Sequence, residues 1–445
     1  MTRTATERPL ITSRHNVWRI AYLILLILAL VTRLYMLGHR ATSHDETTHA
    51  KYSWNLYTGR GFQHDPLMHG PLLFEASAFF YFLFGVSDFS ARLYAALAGV
   101  ALVMAPWLLR KWLGRLGALL ASVMLLISPS ISYYSRYTRH DVPLLLATLL
   151  FLWAILKYFD EGRVRWLRWM AGVFAFLYAT KENAYMLTAI FGALLAMIFL
   201  WRLLSTPWAH PRWIRFILFL LILAIITGGL FVLSFRTAQF RAEGEGNTEI
   251  GDVSIPLWGR IALGGALSLL VASLVLTVRG VGVEEVARMR VFDVLMVIGT
   301  LTLPLSSAFL MRFVVDLDMT TFYGALMSAN LTSLPTGEAI GAVLSLLVCC
   351  GLAIGLGLWW NRKVWPILAV ICYGIFFIFY STFFTWGWGM VTGLVGGLAY
   401  WMAQQAVERG SQPWYYYLMV GSLYEYLPIL LSMGSGLTLG IRALL

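Results

Sequence analysis

The chain has 445 residues, of which 59% are hydrophobic and only 12% are charged. Soluble domains carry about 25% charged residues, so a soluble fold of this length could not cover so much apolar surface. The net charge of +11 does not indicate nucleic-acid binding, because the basic residues are scattered through short loops between apolar runs, as on a cytoplasmic membrane face. The three cysteines lie in apolar runs and give neither a disulfide framework nor a zinc-type spacing. The composition predicts a membrane protein with no nucleic-acid partner.

The apolar runs predict an all-α, polytopic transmembrane protein. A bilayer core needs about 20 apolar residues per helix. By this criterion the sequence predicts about twelve spans, near residues 17–38, 89–109, 115–133, 142–159, 166–180, 183–201, 213–235, 258–278, 291–311, 338–360, 364–384 and 417–440. The shorter apolar stretch 71–85 predicts an interfacial or re-entrant helix in the first outer loop.

Charge placement predicts the orientation. Arg3, Arg8, Arg14 and Arg19 precede or open the first span, and the positive-inside rule therefore places the N-terminus in the cytoplasm. The long polar loops then fall on the outer side, at residues 39–70, 236–257 and 385–416. We expect a multi-pass protein of the plasma membrane whose chemistry takes place at the extracytoplasmic face.

The first outer loop carries the densest set of polar side chains, in the sequence HRATSHDETTH at residues 39–49. Asp45 and Glu46 could be ordinary solvated loop residues. A carboxylate in this place could instead accept a proton from an attacking hydroxyl group, or hold a divalent metal that screens a departing phosphate. The neighbouring acid could bind the acceptor or tune the pKa of the first.

A metal site in this loop is an open alternative. His44 and His49 are five residues apart, whereas a zinc protease needs a spacing of four. Glu46 and His49 are three apart, a spacing that recurs in metal-binding helical bundles. A divalent metal could therefore be held by His44, Asp45, His49 and His64.

Several ordered motifs resemble the GT-C glycosyltransferases that use lipid-phosphate sugars, which include protein O-mannosyltransferases and the aminoarabinose transferases of lipid A. The Asp-Glu pair after the first span is similar to their signature. The stretches FGVSDFSARL (84–93), YYSRYTRHDVP (133–143) and ATKE (179–182) follow in the family's order. The late region with Tyr400, Trp401, Gln404, Gln405 and Arg409 resembles, more narrowly, a prokaryotic subfamily of flippase-activity-associated archaeal glycosylation proteins.

The resemblance implies a function and a division of the chain. It implies Asp45 as base or metal ligand, Glu46 as acceptor contact and a polyprenyl-phosphate sugar as donor. The surrounding membrane lipid is the other partner that it implies. The histidine-rich surroundings leave the acceptor open among a glycan, a lipid and a protein of the cell envelope. We expect a cytoplasmic tail at 1–16, a GT-C-like catalytic module at 17–210 with the outer loop 39–88, and a C-terminal module at 211–445 with the aromatic outer loop 385–416.

A lipid-phosphate donor needs cations near the outer headgroups. Arginine forks suit phosphate oxygens, although the same residues could simply reach lipid headgroups. Asp141, at the start of a predicted span, could pair with Arg139 or complete the carboxylate set, and Glu182 could pair locally with Lys181. The predicted phosphate or substrate contacts are Arg92, Arg136, Arg139, Lys181, Glu182, Gln404 and Arg409.

These residues are compatible with three functions. The first is an enzyme that moves a sugar, with inversion, from the lipid donor to an outer-face acceptor. The second is a lipid-linked-sugar flippase accessory or transporter, and the third is an inactive scaffold. Transporters usually place charges near the membrane midplane and contain internal repeats. This chain has its charges at the outer face and no evident repeat, which favours the enzyme.

Overall fold

The computed structural model of the chain describes residues 11–208, 213–244, 256–404, 413 and 415–444. All regular structure in these residues is helical, which confirms the predicted all-α class. The helices are α1 Ile11–Leu34, α2 His44–Tyr57, α3 Leu72–Phe84, α4 Asp88–Met104, α5 Arg110–Ile127, α6 Pro129–Tyr134, α7 Asp141–Glu161, α8 Val164–Thr180, α9 Asn183–Ser205, α10 Trp213–Gly244, α11 Leu257–Val281, α12 Val283–Ala287, α13 Arg290–Thr302, α14 Ser307–Leu310, α15 Met319–Met327, α16 Thr336–Asn361, α17 Trp365–Tyr380, α18 Gly389–Val391, α19 Gly397–Ala403, α20 Tyr416–Tyr424 and α21 Tyr426–Leu444.

Within the described residues, seven helical segments are long and apolar enough to cross a membrane, or eight if the bent pair Arg290–Thr302 and Pro304–Val315 is one span. The predicted number of about twelve is therefore not confirmed. The segment Asp88–Ile127 counts once although two spans were predicted in it. Its 40 residues would extend about 60 Å as one straight helix, twice the thickness of a bilayer core. A left-handed Gly114, with φ of 72°, interrupts it.

The first compact unit consists of Met1–Phe62, Leu72–Trp153 and Gly410–Leu445. In it α1 packs against α4 and α5, and α3 packs between α2 and α4. A helix, α3, is present where the sequence predicted an interfacial or re-entrant helix at 71–85, and its apolar face is buried through Leu73, Phe74 and Tyr81. This packing fixes α2, which carries the Asp-Glu pair, against the helical core.

The second compact unit consists of Gln63–Pro71 and Ala154–Arg409. Its main helix pairs are α8 with α17, α9 with α13, α10 with α11, and α15 with α19. Gly389, Gly393 and Gly397 repeat at a spacing of four, and a Cβ on the first two would collide with the carbonyl oxygen and the ring of Tyr380. Small residues at this spacing allow close approach, and the backbone at Gly389 and Gly393 lies directly against Tyr380.

Two further predictions concern the loop at 236–257 and the division of the chain at residue 210. The predicted outer loop 236–257 is wrong at its start, because α10 continues to Gly244; residues 236–243 consist mainly of good helix formers such as Ala, Gln, Arg and Glu. Residues 245–255 lie outside the described part. The functional division at residue 210 stays a prediction, since the two compact units interleave along the chain.

Candidate active site

The first turn of α2 directs the side chains of Asp45 and Glu46 to different sides of the helix. Ser43 caps the helix by accepting from the backbone N–H of Glu46, and the Glu46 side chain accepts from the Ser43 N–H. This reciprocal capping box fixes the first turn. Successive helical residues point about 100° apart, so Glu46 turns inward and is 1% exposed, whereas the Asp45 side chain is 48% exposed.

Glu46 is fully engaged within the first unit. Its Oε1 accepts from Arg92 Nε at 2.9 Å and from the Thr138 backbone N–H at 3.1 Å. Its Oε2 accepts from Arg92 at 3.1 Å and from Arg40 at 2.7 Å. Burial by itself would raise the pKa of Glu46, but the hydrogen bonds from Arg92 and from the backbone of Thr138 and Ser43 bring that pKa below its ordinary value. Glu46 is therefore a charged anchor that ties α2 to α4 and to the loop before α7.

Asp45 lies on the exposed side of the same turn, in contact with a second arginine. Arg139 donates from its Nη1 to an Asp45 oxygen at 2.9 Å. The Nε of the same arginine lies 3.5 Å from Asp141. Arg139 is 28% exposed and Asp141 34% exposed, so these three side chains form an open cluster that a ligand can reach. Of the two alternatives for Asp141, the pairing with Arg139 is the one observed.

Two of the predicted phosphate contacts have other partners. Arg92 is 1% exposed, and all three of its guanidinium nitrogens donate to Glu46 or to the carbonyls of Leu37 and Arg40. Arg136 donates to the carbonyls of Thr32 and Met36 at the end of α1, at 2.9 and 3.2 Å. This geometry does not support Arg92 or Arg136 as a direct contact to a lipid phosphate, because their donors already satisfy groups of the protein.

The predicted metal set is not assembled. Among the described residues, no three His, Cys, Asp or Glu side chains are placed to hold a metal ion. His49 is buried and donates from Nδ1 to the Thr138 carbonyl at 2.9 Å, and the nearby Glu46 is occupied by arginines. His44 is exposed, and His64 belongs to the second unit.

Lys181 and Glu182, predicted as substrate contacts, lie in the second unit between α8 and α9. Glu182 is 3% exposed, and its Oε2 accepts from His69 Nδ1 at 2.7 Å. The other carboxylate oxygen, Oε1, is buried without a hydrogen-bond partner in the described structure. Gln404 is half-buried at the end of α19. Arg409 lies outside the described residues.

The segment 63–71 presents His69 to Glu182, and it is anchored at several points. His64 Nδ1 contacts Thr392 Oγ1 at 2.8 Å, and Tyr323 donates to Asp65 at 2.6 Å. Burial lowers the pKa of His64 to about 3, although the His69 backbone opposes this shift. A Cβ on Gly70 would collide with the carbonyl oxygen of Ala179, so the backbone of this segment lies directly on the end of α8.

Sequence reasoning assigned no role to His69 or Arg40. Arg40 binds Glu46 and lies over the rings of Tyr133 and Tyr137, 5.1 and 4.9 Å from their centroids. The adjoining HGP sequence gives no backbone signal for His69, because a proline restricts only the residue directly before it, here Gly70. The partner of His69, Glu182, 113 positions away, could not be read from spacing.

Comparison with known proteins gives a family match. Residues 68–226 match the family described as dolichyl-phosphate-mannose-protein mannosyltransferase. None of the curated proteins matches the sequence. The matched segment includes α3 to α9 with Arg92, Arg139 and Lys181, but it begins after the Asp-Glu pair.

Among solved structures, ArnT from Cupriavidus metallidurans is similar in its apo state, with 16% identity, a TM-score of 0.34, and coverage of 87% of this chain and 78% of that one. Its complex with undecaprenyl phosphate has 16% identity and a TM-score of 0.37 over 87% and 77% of the chains. The archaeal oligosaccharyltransferase AglB from Archaeoglobus fulgidus, with an inhibitory peptide and dolichol-phosphate, has 13% identity and a TM-score of 0.39. The alignment with AglB covers 92% of this chain and 54% of AglB. These TM-scores are too low to match individual site residues.

The class follows from the helical membrane fold together with the family match: a multi-span membrane glycosyltransferase of the GT-C type. The predicted resemblance to this superfamily is confirmed. The narrower resemblance to the archaeal glycosylation subfamily stays a prediction.

Proposed function

We propose that the chain transfers a sugar from a polyprenyl-phosphate donor to an acceptor at the outer membrane face, with inversion at the anomeric carbon. The observation that carries this proposal is the open cluster of Asp45, Arg139 and Asp141 beside the buried Glu46–Arg92 pair. An exposed carboxylate held in a fixed direction is what a general base needs. The lipid-phosphate donor is supported by the family match, whose name specifies a dolichyl-phosphate sugar.

In the proposed reaction, the acceptor hydroxyl oxygen attacks the anomeric carbon. Its proton passes to an Asp45 oxygen, the bond between the anomeric carbon and the phosphate oxygen breaks, and the polyprenyl phosphate leaves with the electron pair. Arg139 is partly exposed and directly contacts Asp45, so it is the proposed contact to that phosphate. Glu46 and Arg92 act as positioning residues, because their contacts hold the turn that carries Asp45.

The second unit supplies a feature suited to an isoprenoid chain. A cavity of about 520 Å³ is lined mainly by apolar side chains from α9, α10, α14, α15 and α19, with Arg312 at its wall. Its lining includes Tyr185, Phe235, Phe309 and Trp401. An apolar cavity with a single cation suits a hydrocarbon chain better than a free sugar. Lys181 and Glu182, in the same unit, stay proposed donor contacts.

The test is transfer of label from polyprenyl-phosphate mannose, glucose or galactose by the purified protein in lipid nanodiscs. The acceptors offered are peptides, alkyl glycosides and total lipid extract. We expect Asp45→Asn to abolish transfer, while the matched exposed acid Glu284→Gln retains it. The anomeric configuration of the product, read by NMR, tests inversion. Full transfer by Asp45→Asn, or translocation of the lipid sugar without any product, would contradict the proposal.

A further inference from the structure

A groove of about 360 Å³ lies between α8 and α17 in the second unit. Its lining includes Arg165, Arg168, Trp169, Gly172 and Phe176 of α8 and Ile375 of α17. The α8 residues recur every three to four positions, so they lie on one face of that helix. The groove therefore begins near the start of α8, whereas Glu182 follows the end of the same helix.

Polarity changes in one direction along this groove. The two arginines lie at its beginning, Trp169 follows, and the lining is apolar at Gly172 and Phe176. The stretch 165–176 extends about 16 Å along the helix axis, close to the ~15 Å of hydrocarbon in one leaflet of a bilayer. This order of cation, indole and apolar path matches the order of headgroup, interface and acyl chain in a phospholipid.

Arg168 is the arginine of this groove whose charge is not neutralised by the protein. Its side chain is exposed, and it forms no hydrogen bond or ion pair with the part of the chain that the structure describes. Arg165, in contrast, donates to Glu161 at 2.6 Å. Lys157 and Arg163 lie 3.3 and 3.9 Å from the same carboxylate, so Glu161 is already shared by three cations.

Charge around the start of α8 indicates the kind of headgroup that fits. Residues 157–168 contain four basic and two acidic side chains. The sequence predicts this end of α8 on the cytoplasmic side, where anionic lipids attract basic residues near the membrane surface. Trp169 is exposed next to Arg168, and its indole N–H is a second donor for a headgroup. A headgroup with a net negative charge is therefore favoured over a zwitterionic one.

Gly172 keeps the apolar part of the groove open. A Cβ at this position would lie 3.7 Å from Ile371 and 3.8 Å from Ile375, which are ordinary contacts, so the packing of α8 on α17 does not require a glycine here. Glycine is also a poor helix former. The missing side chain leaves space beside the helix pair, at the depth that an acyl chain occupies.

We propose that this groove binds one anionic glycerophospholipid, such as phosphatidylglycerol. The Arg168 guanidinium and the Trp169 N–H hold its phosphate. One acyl chain lies over Gly172, between Phe176 and Ile375. Basic sites between membrane helices bind anionic headgroups in this way. The lipid stabilises the pairing of α8 and α17, and the site is independent of the proposed transfer reaction.

Substitutions separate the headgroup contact from the acyl-chain contact. Arg168→Gln removes the charge and keeps a good helix former. Gly172→Leu keeps both arginines and fills the apolar part of the groove, whereas Gly172→Ala adds only a methyl group in ordinary contact. Arg163→Gln is the matched control, because Arg163 is an exposed arginine of the same region that does not line the groove.

The experiment is native mass spectrometry of the delipidated full chain in detergent, titrated with dioleoyl phosphatidylglycerol or dioleoyl phosphatidylcholine. We expect the wild type to bind one phosphatidylglycerol at least about tenfold more tightly than phosphatidylcholine, the effect of one charge-assisted hydrogen bond. Arg168→Gln should lose this preference, and Arg163→Gln should keep it. Gly172→Leu should weaken the binding of both lipids, and Gly172→Ala should not. Unfolding temperatures without added lipid should be equal for the wild type and Arg168→Gln.

Three results would overturn the proposal. Equal affinity of the wild type for the two lipids, or a preference that persists in Arg168→Gln, would mean that Arg168 only reaches the headgroups of bulk lipid. An equal loss in Arg163→Gln and Arg168→Gln would show attraction by general surface charge. Displacement of phosphatidylglycerol by equimolar undecaprenyl phosphate in the wild type, absent in Arg168→Gln, would assign the groove to an isoprenoid phosphate instead.

Discussion

Arg92 is the residue on which the geometry of the Asp-Glu turn depends most. It is 1% exposed and binds both oxygens of a carboxylate that is equally buried. Its other donors go to the carbonyls of Leu37 and Arg40, in the chain that leads from α1 to α2. One side chain therefore joins α4, the loop between α1 and α2, and the start of α2.

Breaking this pair should cost much more than replacing both partners. Removing one member of a buried ion pair costs about 3–5 kcal/mol, because the other charge is left uncompensated. We expect Arg92→Met to lower the unfolding free energy by this amount in detergent. The double variant Glu46→Leu with Arg92→Met should lose less than Arg92→Met alone. A double variant that is less stable than Arg92→Met alone would contradict this account.

The lowered pKa of Glu46 predicts in which direction the stability of the fold changes with pH. A carboxylate whose folded-state pKa lies below its unfolded value, about 4.3, stabilises the fold above that value, and the contribution disappears as the pH falls through the folded-state pKa. Glu46→Gln keeps a capping-box residue at this position but does not titrate. The difference in unfolding temperature between wild type and Glu46→Gln should therefore be largest near pH 7 and should narrow below about pH 4. A difference that is independent of pH would show that Glu46 acts without its charge.

At the scale of the elements, the break between α5 and α6 shows how a buried helix end is satisfied. Pro129 has no backbone N–H, so the carbonyl of Leu125, four residues earlier, lacks its helical partner. Arg33 of α1, fully buried, donates to this carbonyl at 3.0 Å and to that of Leu126 at 3.1 Å. An arginine within a predicted span thus closes a helix end and anchors α1 to α5.

This arrangement predicts a coupling between Arg33 and Pro129. Arg33→Met should be destabilising by about 1–3 kcal/mol for each buried carbonyl left without a donor. Pro129→Ala restores an N–H that can bind the Leu125 carbonyl, so the double variant should recover part of this loss. Unfolding free energies of the two single variants and the double variant measure the coupling. Strictly additive effects would mean that Arg33 does not compensate for the proline.

The same elements show what the sequence could and could not predict. The apolar runs were sufficient for the all-α class, and the Ser43–Glu46 spacing contains a capping box that marks the start of α2. Which acid turns inward depends on Arg92, 46 positions from Glu46, and no local pattern gives that distance. Likewise, segment 63–71 belongs to the second unit through Tyr323 and Thr392, which are far away in the sequence.

At the scale of the whole molecule, the number of spans was the weakest prediction. Hydropathy treats every apolar run alike, whereas a crossing also needs length and continuity. The helices α8 and α17, both predicted as spans, have 17 and 16 residues, short of the 20 or so that a bilayer requires. An apolar helix that is shorter than the bilayer core is accommodated by local thinning of the bilayer, by long flanking side chains or by association with other helices. The predicted orientation of the first span does not depend on the total number of spans, because it rests on the arginines that precede or open that span.

Labelling of single cysteines would test that orientation. The chain's own cysteines, of which Cys349 and Cys372 are buried, are first replaced by alanine. We expect Thr42→Cys, at an exposed position before α2, to react with a membrane-impermeant maleimide in intact cells, because the first span is predicted to carry the chain from the cytoplasm to the outside. Ala287→Cys, exposed at the end of α12, follows the eighth predicted span, so alternation from a cytoplasmic N-terminus predicts that it is cytoplasmic. It should react only after permeabilisation. The reverse pattern would put Asp45 on the cytoplasmic side, away from an outer-face acceptor, and the proposed reaction could not take place there.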